Sequence, residues 1–328
     1  MKRGLLLVLA ALVVAPPLAA EPTIWQRVLR PSARHEELAR LRAEQLFDQS
    51  SEASGDQELL RELLRGSAAL LELSGAAKRD PWQAVLLGRV LLDARPGRER
   101  EAVRLIELGV AGLPDSDFKR ASLFDLGVGY MLLGDLERAD AALTRALELA
   151  WDPDYRSSIY RNRSNARMMA GWLRAAVADA RAAVLLARGP EVVALSHFKL
   201  GVALERSGDY PQGMQAIASG VSVRLAVPPY ATESVLDLPY LRWMPEYDGH
   251  YYRALAAMSE ASSAGYDTQL ALERYETALA EWEQYLVLAE QVSDRFVSNA
   301  RRHRQRCAEA VARLQREQAR PARSGRAR

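Results

Sequence analysis

The 328-residue chain carries few side chains that could do chemistry, and their spacing argues against most kinds of it. His35, His197, His250 and His303 are the four histidines, and no two stand at metal-ligand spacing. No H-E-x-x-H, G-x-S-x-G, phosphate-loop or dinucleotide glycine motif is present. Cys307 is the single cysteine, so neither an intrachain disulfide nor a thiolate metal site can form, and nothing near it marks a nucleophile. Asp115-Ser116-Asp117 and Asp152-Pro153-Asp154 could suggest divalent-cation ligands. Both stand between helical patterns, however, where Asp and Ser cap a helix by accepting from its free N–H groups. The expectations are no catalysis, no cofactor and no metal, which leaves recognition.

Recognition needs a scaffold, and the scaffold is written as a repeat. Gly134, Gly171 and Gly208 stand 37 residues apart, and the small residues after them recur at the same interval. Ala139, Ala176 and Gly213 occupy one slot, Leu143, Ala180 and Ile217 the next, and Ala146, Ala183 and Gly220 the third. The clearest unit reads Leu123, Leu126-Gly127, Tyr130, Gly134-Asp135, Ala139, Leu143, Ala146 and then Pro153. Small residues at fixed slots let two helices approach closely, and the larger ones fill the wider space between units. This pattern resembles the tetratricopeptide repeat, a helix-turn-helix of about 34 residues. The resemblance is clear from Pro81 to about Val227, moderate from His250 to Glu290, and weak before Asp80. It implies an all-α fold, a right-handed α-solenoid of such repeats ending in a long C-terminal helix cap. The unit from Ser157 to Pro190 departs most, with Arg163-Ser164 in place of Leu-Gly and Arg167 in place of Tyr.

Along the chain, residues 1–20 read as a signal peptide, with Lys2-Arg3, an apolar run from Leu5 to Val14, and Pro16-Pro17-Leu18-Ala19-Ala20 before the cut. An uncleaved anchor is the other reading, but no run reaches the roughly 18–20 apolar residues of a membrane-spanning helix. Residues 21–33 form a tether, 34–80 a degenerate helix pair, and 81–227 the core repeats. Residues 228–247 are a Pro- and aromatic-rich insertion that either packs over an exposed apolar edge or closes part of a groove. A degenerate repeat and capping helices fill 248–317, and 318–328 is a basic, disordered tail. From Arg295 onward eleven arginines face only Glu309 and Glu317, a net charge of +9, which leaves Glu21 to Asp294 acidic. An acidic body and an exported chain argue against nucleic acid.

In the tetratricopeptide family, ligands lie in the concave groove lined by the first helix of each unit. By register the groove residues here would include Phe124 and Val128, then Arg161, Asn162 and Asn165, then Phe198, Lys199 and Val202. Asn162 and Lys199 stand where the chaperone-tail binders have Asn and a basic residue, but Phe124, Val128 and Leu195 replace their other polar groups. What remains suits an extended or helical peptide with acidic and apolar residues, bound at Phe124, Arg161, Asn162, Asn165, Phe198 and Lys199. The two phenylalanines fit internal packing equally well. Two functions follow: a non-catalytic, exported interaction scaffold in the periplasm or cell envelope, or a structural spacer held to anionic lipid or polysaccharide by its basic tail.

Overall fold

A computed structural model describes residues 33–52, 57–75, 77, 80–94, 97–223, 234–238, 241 and 243–319. The signal segment, nearly all of the tether, the end of the basic tail and part of the 228–247 insertion lie outside the described residues.

Thirteen α-helices account for the described chain, and no strand occurs among the described residues. They run as α1 (Ala33–Glu52), α2 (Gln57–Ser74), α3 (Pro81–Ala94), α4 (Glu99–Gly112), α5 (Asp117–Leu132), α6 (Leu136–Leu149) and α7 (Pro153–Ala170). Then come α8 (Leu173–Leu186), α9 (Pro190–Arg206), α10 (Tyr210–Ser222), α11 (Asp248–Ser263), α12 (Thr268–Gln291) and α13 (Val297–Gln318). Six consecutive pairs pack as antiparallel hairpins and α13 closes the array against α12. Apart from α12 and α13, each helix is 13–20 residues long.

The repeated glycines make the same turn three times. Gly134, Gly171 and Gly208 have φ of 75°, 82° and 98°, a left-handed conformation that a side chain strains. The next residue's N–H then reaches back five residues along the chain, from Asp135 to Tyr130 at 2.9 Å, Trp172 to Arg167 at 2.8 Å, and Asp209 to Leu204 at 2.9 Å. Helix starts are capped as the short polar side chains imply: Ser116 accepts from Lys119 N–H at 3.2 Å and Asp152 from Tyr155 N–H at 2.7 Å.

Within each hairpin the small residues set the crossing. Ala139, Ala146, Ala176, Ala180 and Ala183 have no exposed surface. Ser164 fills the slot that glycine holds in other units, and donates its hydroxyl to Ala176 O at 2.8 Å, so the second helix can still approach. Three large apolar clusters follow one another along the array, with a small fourth between α12 and α13. The first spans α1 to α4, the second α3 to α7, and the third, built on Phe198, Tyr251, Trp282 and Tyr285, reaches from α7 to α13.

Candidate functional site

The first helices α3, α5, α7 and α9 touch in succession, so their register positions form one continuous face. At the α3–α5 end this face is aromatic and cationic. Trp82 stacks on Phe118 with ring centroids 4.9 Å apart, and Phe124 leans on Tyr155 at 5.8 Å. The Arg89 guanidinium lies over Phe118 and pairs with Asp125, while Arg120 covers the Tyr155 ring at 4.1 Å. Burial pushes the Asp125 carboxyl up to about 6, although Arg89 opposes the shift.

At the α7–α9 end the same face is occupied by the chain itself. The described part of the insertion forms a short 3₁₀ turn, Val235–Asp237, and then a strap through Leu241, Trp243 and the cis peptide bond Met244-Pro245. The Asn165 side-chain amide donates to Met244 O at 2.7 Å, fixing the strap's main chain to α7. Trp243 lies 4.6 Å from Tyr252 and packs on the first turn of α11, where a Cβ at Gly249 would come within 2.7 Å of its ring. Below the strap the Arg206 guanidinium grips Asp248 through two bonds of 2.5 and 3.1 Å, both residues almost fully buried. Burial alone would lower this arginine's pKa, but Asp248 holds it well above the usual value.

Between α7, α9, the strap and α11 lies a pocket of about 230 Å³. It gathers five of the six partner-site residues read from the sequence, Arg161, Asn162, Asn165, Phe198 and Lys199. Phe124 stands apart, on the aromatic end of the face. Phe198 is only 2% exposed, its ring packed over Gly220 of α10 in the same hairpin, and Val202 is not exposed at all, so both belong to the third apolar cluster. Asn162 donates back to Ser158 O at 3.0 Å. Lys199 is half-buried, with Nζ 3.3 Å from Asn165 Oδ1 and 4.7 Å from the Tyr252 ring centre, and loss of water pulls its pKa down to about 7. Burial likewise lowers Arg161 to about 10.

Two charged networks escaped the sequence reading. Arg163 and Arg167, the departures from Leu and Tyr, converge on Asp179, with bonds of 2.8 and 2.8 Å from Arg163 and a 2.9 Å ion pair from Arg167. The visible signal was two arginines in apolar slots of a single unit. In the second network the Glu205 carboxylate accepts from Tyr251 and, at 3.1 Å, from Asn299, while His303 Nε2 lies 2.7 Å away. His303 is stacked between Tyr210 and Trp282, tying α13 to α9 through residues 98 apart. Cys307 is buried beside it, its thiol pushed up to about 12 by loss of water. Among the described residues no group of His, Cys, Asp or Glu is arranged to hold a metal, and no helix is long and apolar enough to cross a membrane.

The interlocked helix pairs, their left-handed glycine turns and their small-residue crossings decide the architecture. The fold is a tetratricopeptide-like helical array. No protein-family model matches the array's sequence. Protein FlbA of Caulobacter vibrioides is 30% identical over 147 residues, which are 44% of this chain but only 23% of that relative's length. Among solved structures, the array is similar to BtubC (BKLC) from P. vanneervenii, at 19% identity and a TM-score of 0.46 over 63% of this chain and 93% of that one. It is similar also to the C-terminal part of a TPR repeat-containing protein from Cytophaga hutchinsonii, at 13% identity and a TM-score of 0.45 over 82% and 95% of the two chains. MamA gives 15% identity and a TM-score of 0.43 over 60% of this chain and 100% of that one. Likenesses this distant add nothing to what the helix pairs themselves establish.

Proposed function

We propose that the protein is an exported, non-catalytic interaction scaffold that holds an extended segment of a partner protein along the concave face of α3, α5 and α7. The observation that carries this reading is the strap. The α7–α9 end of the face already holds a non-helical stretch of the chain, and does so as a peptide receptor would, with a side-chain amide on a main-chain carbonyl and aromatic contacts alongside. The face continues from there toward α3 with Phe124, Tyr155, Phe118 and Trp82 as apolar contacts and Arg89 and Arg120 as cations, a composition that favours a segment carrying apolar and acidic residues. Export is supported by Lys2-Arg3, the short apolar run and Ala19-Ala20. N-terminal sequencing of protein from the native cell should then begin at Glu21.

The second reading is the spacer held by its basic end, which the eleven arginines from Arg295 onward favour. Two of them form ion pairs among the described residues, Arg301 with Glu290 and Arg304 with Glu283, which reduces the charge α13 offers outward. Crosslinking in intact cells, followed by identification of captured proteins, separates the two. Truncating an interface aromatic that anchors a partner costs about 2 kcal/mol or more, so Phe124→Ala with Tyr155→Ala should reduce capture of the specific partner by roughly thirtyfold or more. Deleting residues 320–328 should leave it unchanged. Loss of envelope retention on the deletion, with capture indifferent to the aromatic variant, would establish the spacer instead.

A further inference from the structure

The pocket beneath the strap is built differently from the open face beside it. Arg161 and Lys199 both line it, and neither makes an ion pair with a carboxylate of any described residue. Arg161 donates from Nη2 to Ser158 Oγ at 2.8 Å and its Nε is buried with no partner; Glu191 and Asp154 act on it only from a distance. The one carboxylate deep in the lining, Asp248, is committed to Arg206. Tyr252 also belongs to the lining, and its hydroxyl, on a residue 1% exposed, has no hydrogen-bond partner. Buried cations are ordinarily paired, because the energy of taking a charge out of water must be offset by an opposite charge. Two cations without an ion pair lining one cavity are the donor set that an anion requires.

We propose that this pocket binds a small organic acid, with the carboxylate between Arg161 and Lys199 and an apolar body against Trp243 and Leu195. Size and shape favour this class over a polypeptide. Pockets for drug-sized ligands hold about 300–1,000 Å³, and this one offers about 230 Å³. The strap main chain, bonded to Asn165 through Met244 O, also lies across the groove, so a chain running along α7 and α9 meets an obstacle that a compact acid entering from the side does not. The apolar lining, Leu195, Phe198, Leu241 and Trp243, asks for more than a bare inorganic ion.

The site also carries a signature in pH. Lys199 is faced by Arg161 from α7, Arg206 from its own helix, and Asp248 and Tyr252 from α11, with Glu191 at the rim. Desolvation holds its amine near neutrality, at about 7, so a bound carboxylate would raise it again and be taken up together with a proton. Affinity should therefore be greatest below that value and weaken about tenfold per unit as pH rises above it.

Calorimetric titration of the full chain with benzoate tests the proposal, with benzamide as the neutral counterpart, inorganic phosphate as a purely ionic one, and a capped glutamate tripeptide as the peptide source of a carboxylate. Benzoate should bind saturably and benzamide should not. Arg161→Gln should weaken benzoate by about tenfold or more, while Arg145→Gln on the outer helix α6 should change nothing. Lys199→Arg should keep the binding and lose its pH dependence, since a guanidinium stays charged throughout. Melting curves confirm that the variants fold, and if Lys199→Arg does not, the pH profile of the natural chain with Arg161→Gln decides alone. Equal binding of benzamide, absence of benzoate binding, preference for phosphate or for the tripeptide, or indifference to Arg161→Gln would each overturn the assignment.

Discussion

Asp179 stands where the neighbouring units carry Ala142 and Ala216, and its carboxylate is 5% exposed. It is tolerated there only because Arg163 and Arg167 replace the Leu and Tyr that would otherwise surround it, so three departures from the repeat cancel as one group. Removing one member of a buried pair leaves the other charged and dry, at a cost of about 3–5 kcal/mol, whereas exchanging the whole group for apolar residues is often neutral. Asp179→Ala alone should therefore destabilise the chain by about that amount, discounted somewhat because Arg163 and Arg167 keep some contact with solvent. The combination of Asp179→Ala, Arg163→Leu and Arg167→Tyr should recover most of the loss. Denaturant melts of the single and triple variants measure both. A triple variant no better than the single one would show that Asp140, the other partner of Arg167, cannot do without its arginine.

At the scale of the helix pair, the crossings differ in what the glycines touch. A Cβ at Gly109 in α4 would lie 2.3 Å from Pro81 O and 2.5 Å from Val85 Cγ2, so the α3 backbone itself would have to move. At Gly127 in α5 the nearest atoms belong to the Leu143 side chain, at 2.6 Å, so a buried side chain rather than a backbone would have to shift. Alanine in a helix gains up to about 1 kcal/mol over glycine, while overpacking costs about 1–3 kcal/mol. Gly109→Ala should thus lower stability clearly and Gly127→Ala much less, a ranking that thermal melts can check. Ala146, with no exposed surface, belongs with Gly109, and Ala146→Leu should cost about 1–3 kcal/mol while the exposed Glu137 accepts change freely.

For the whole molecule, no one cluster runs the length of the array, so stability should be distributed along it rather than pooled. A chain ended at Val223 would bare Phe198 and remove Tyr251, Trp282 and Tyr285 from the third cluster. Hydrogen exchange should then show α9 and α10 losing protection while α3 to α6 keep theirs, and uniform loss across the chain would mean a single cooperative unit. The same one-dimensional logic explains what could be read without coordinates. The all-α fold and the turns at Gly134, Gly171 and Gly208 follow from contacts within one unit, whose slots recur every 37 residues and therefore stand out in the sequence. Of the charged group around Asp179, Arg163 and Arg167 stood out as exceptions to that pattern, though Asp179 and the pairing did not. Placement of the strap left no such trace. Asn165 meets Met244 across 79 positions, Arg206 meets Asp248 across 42, and Glu205 meets His303 across 98, all outside any repeat period. Register could put Arg161 and Lys199 on one face, and the small slot at Gly220 is what the Phe198 ring packs over; only the folding back of the insertion and of α11 decided that the two cations would share a partly covered pocket, because that cover comes from segments the period does not reach.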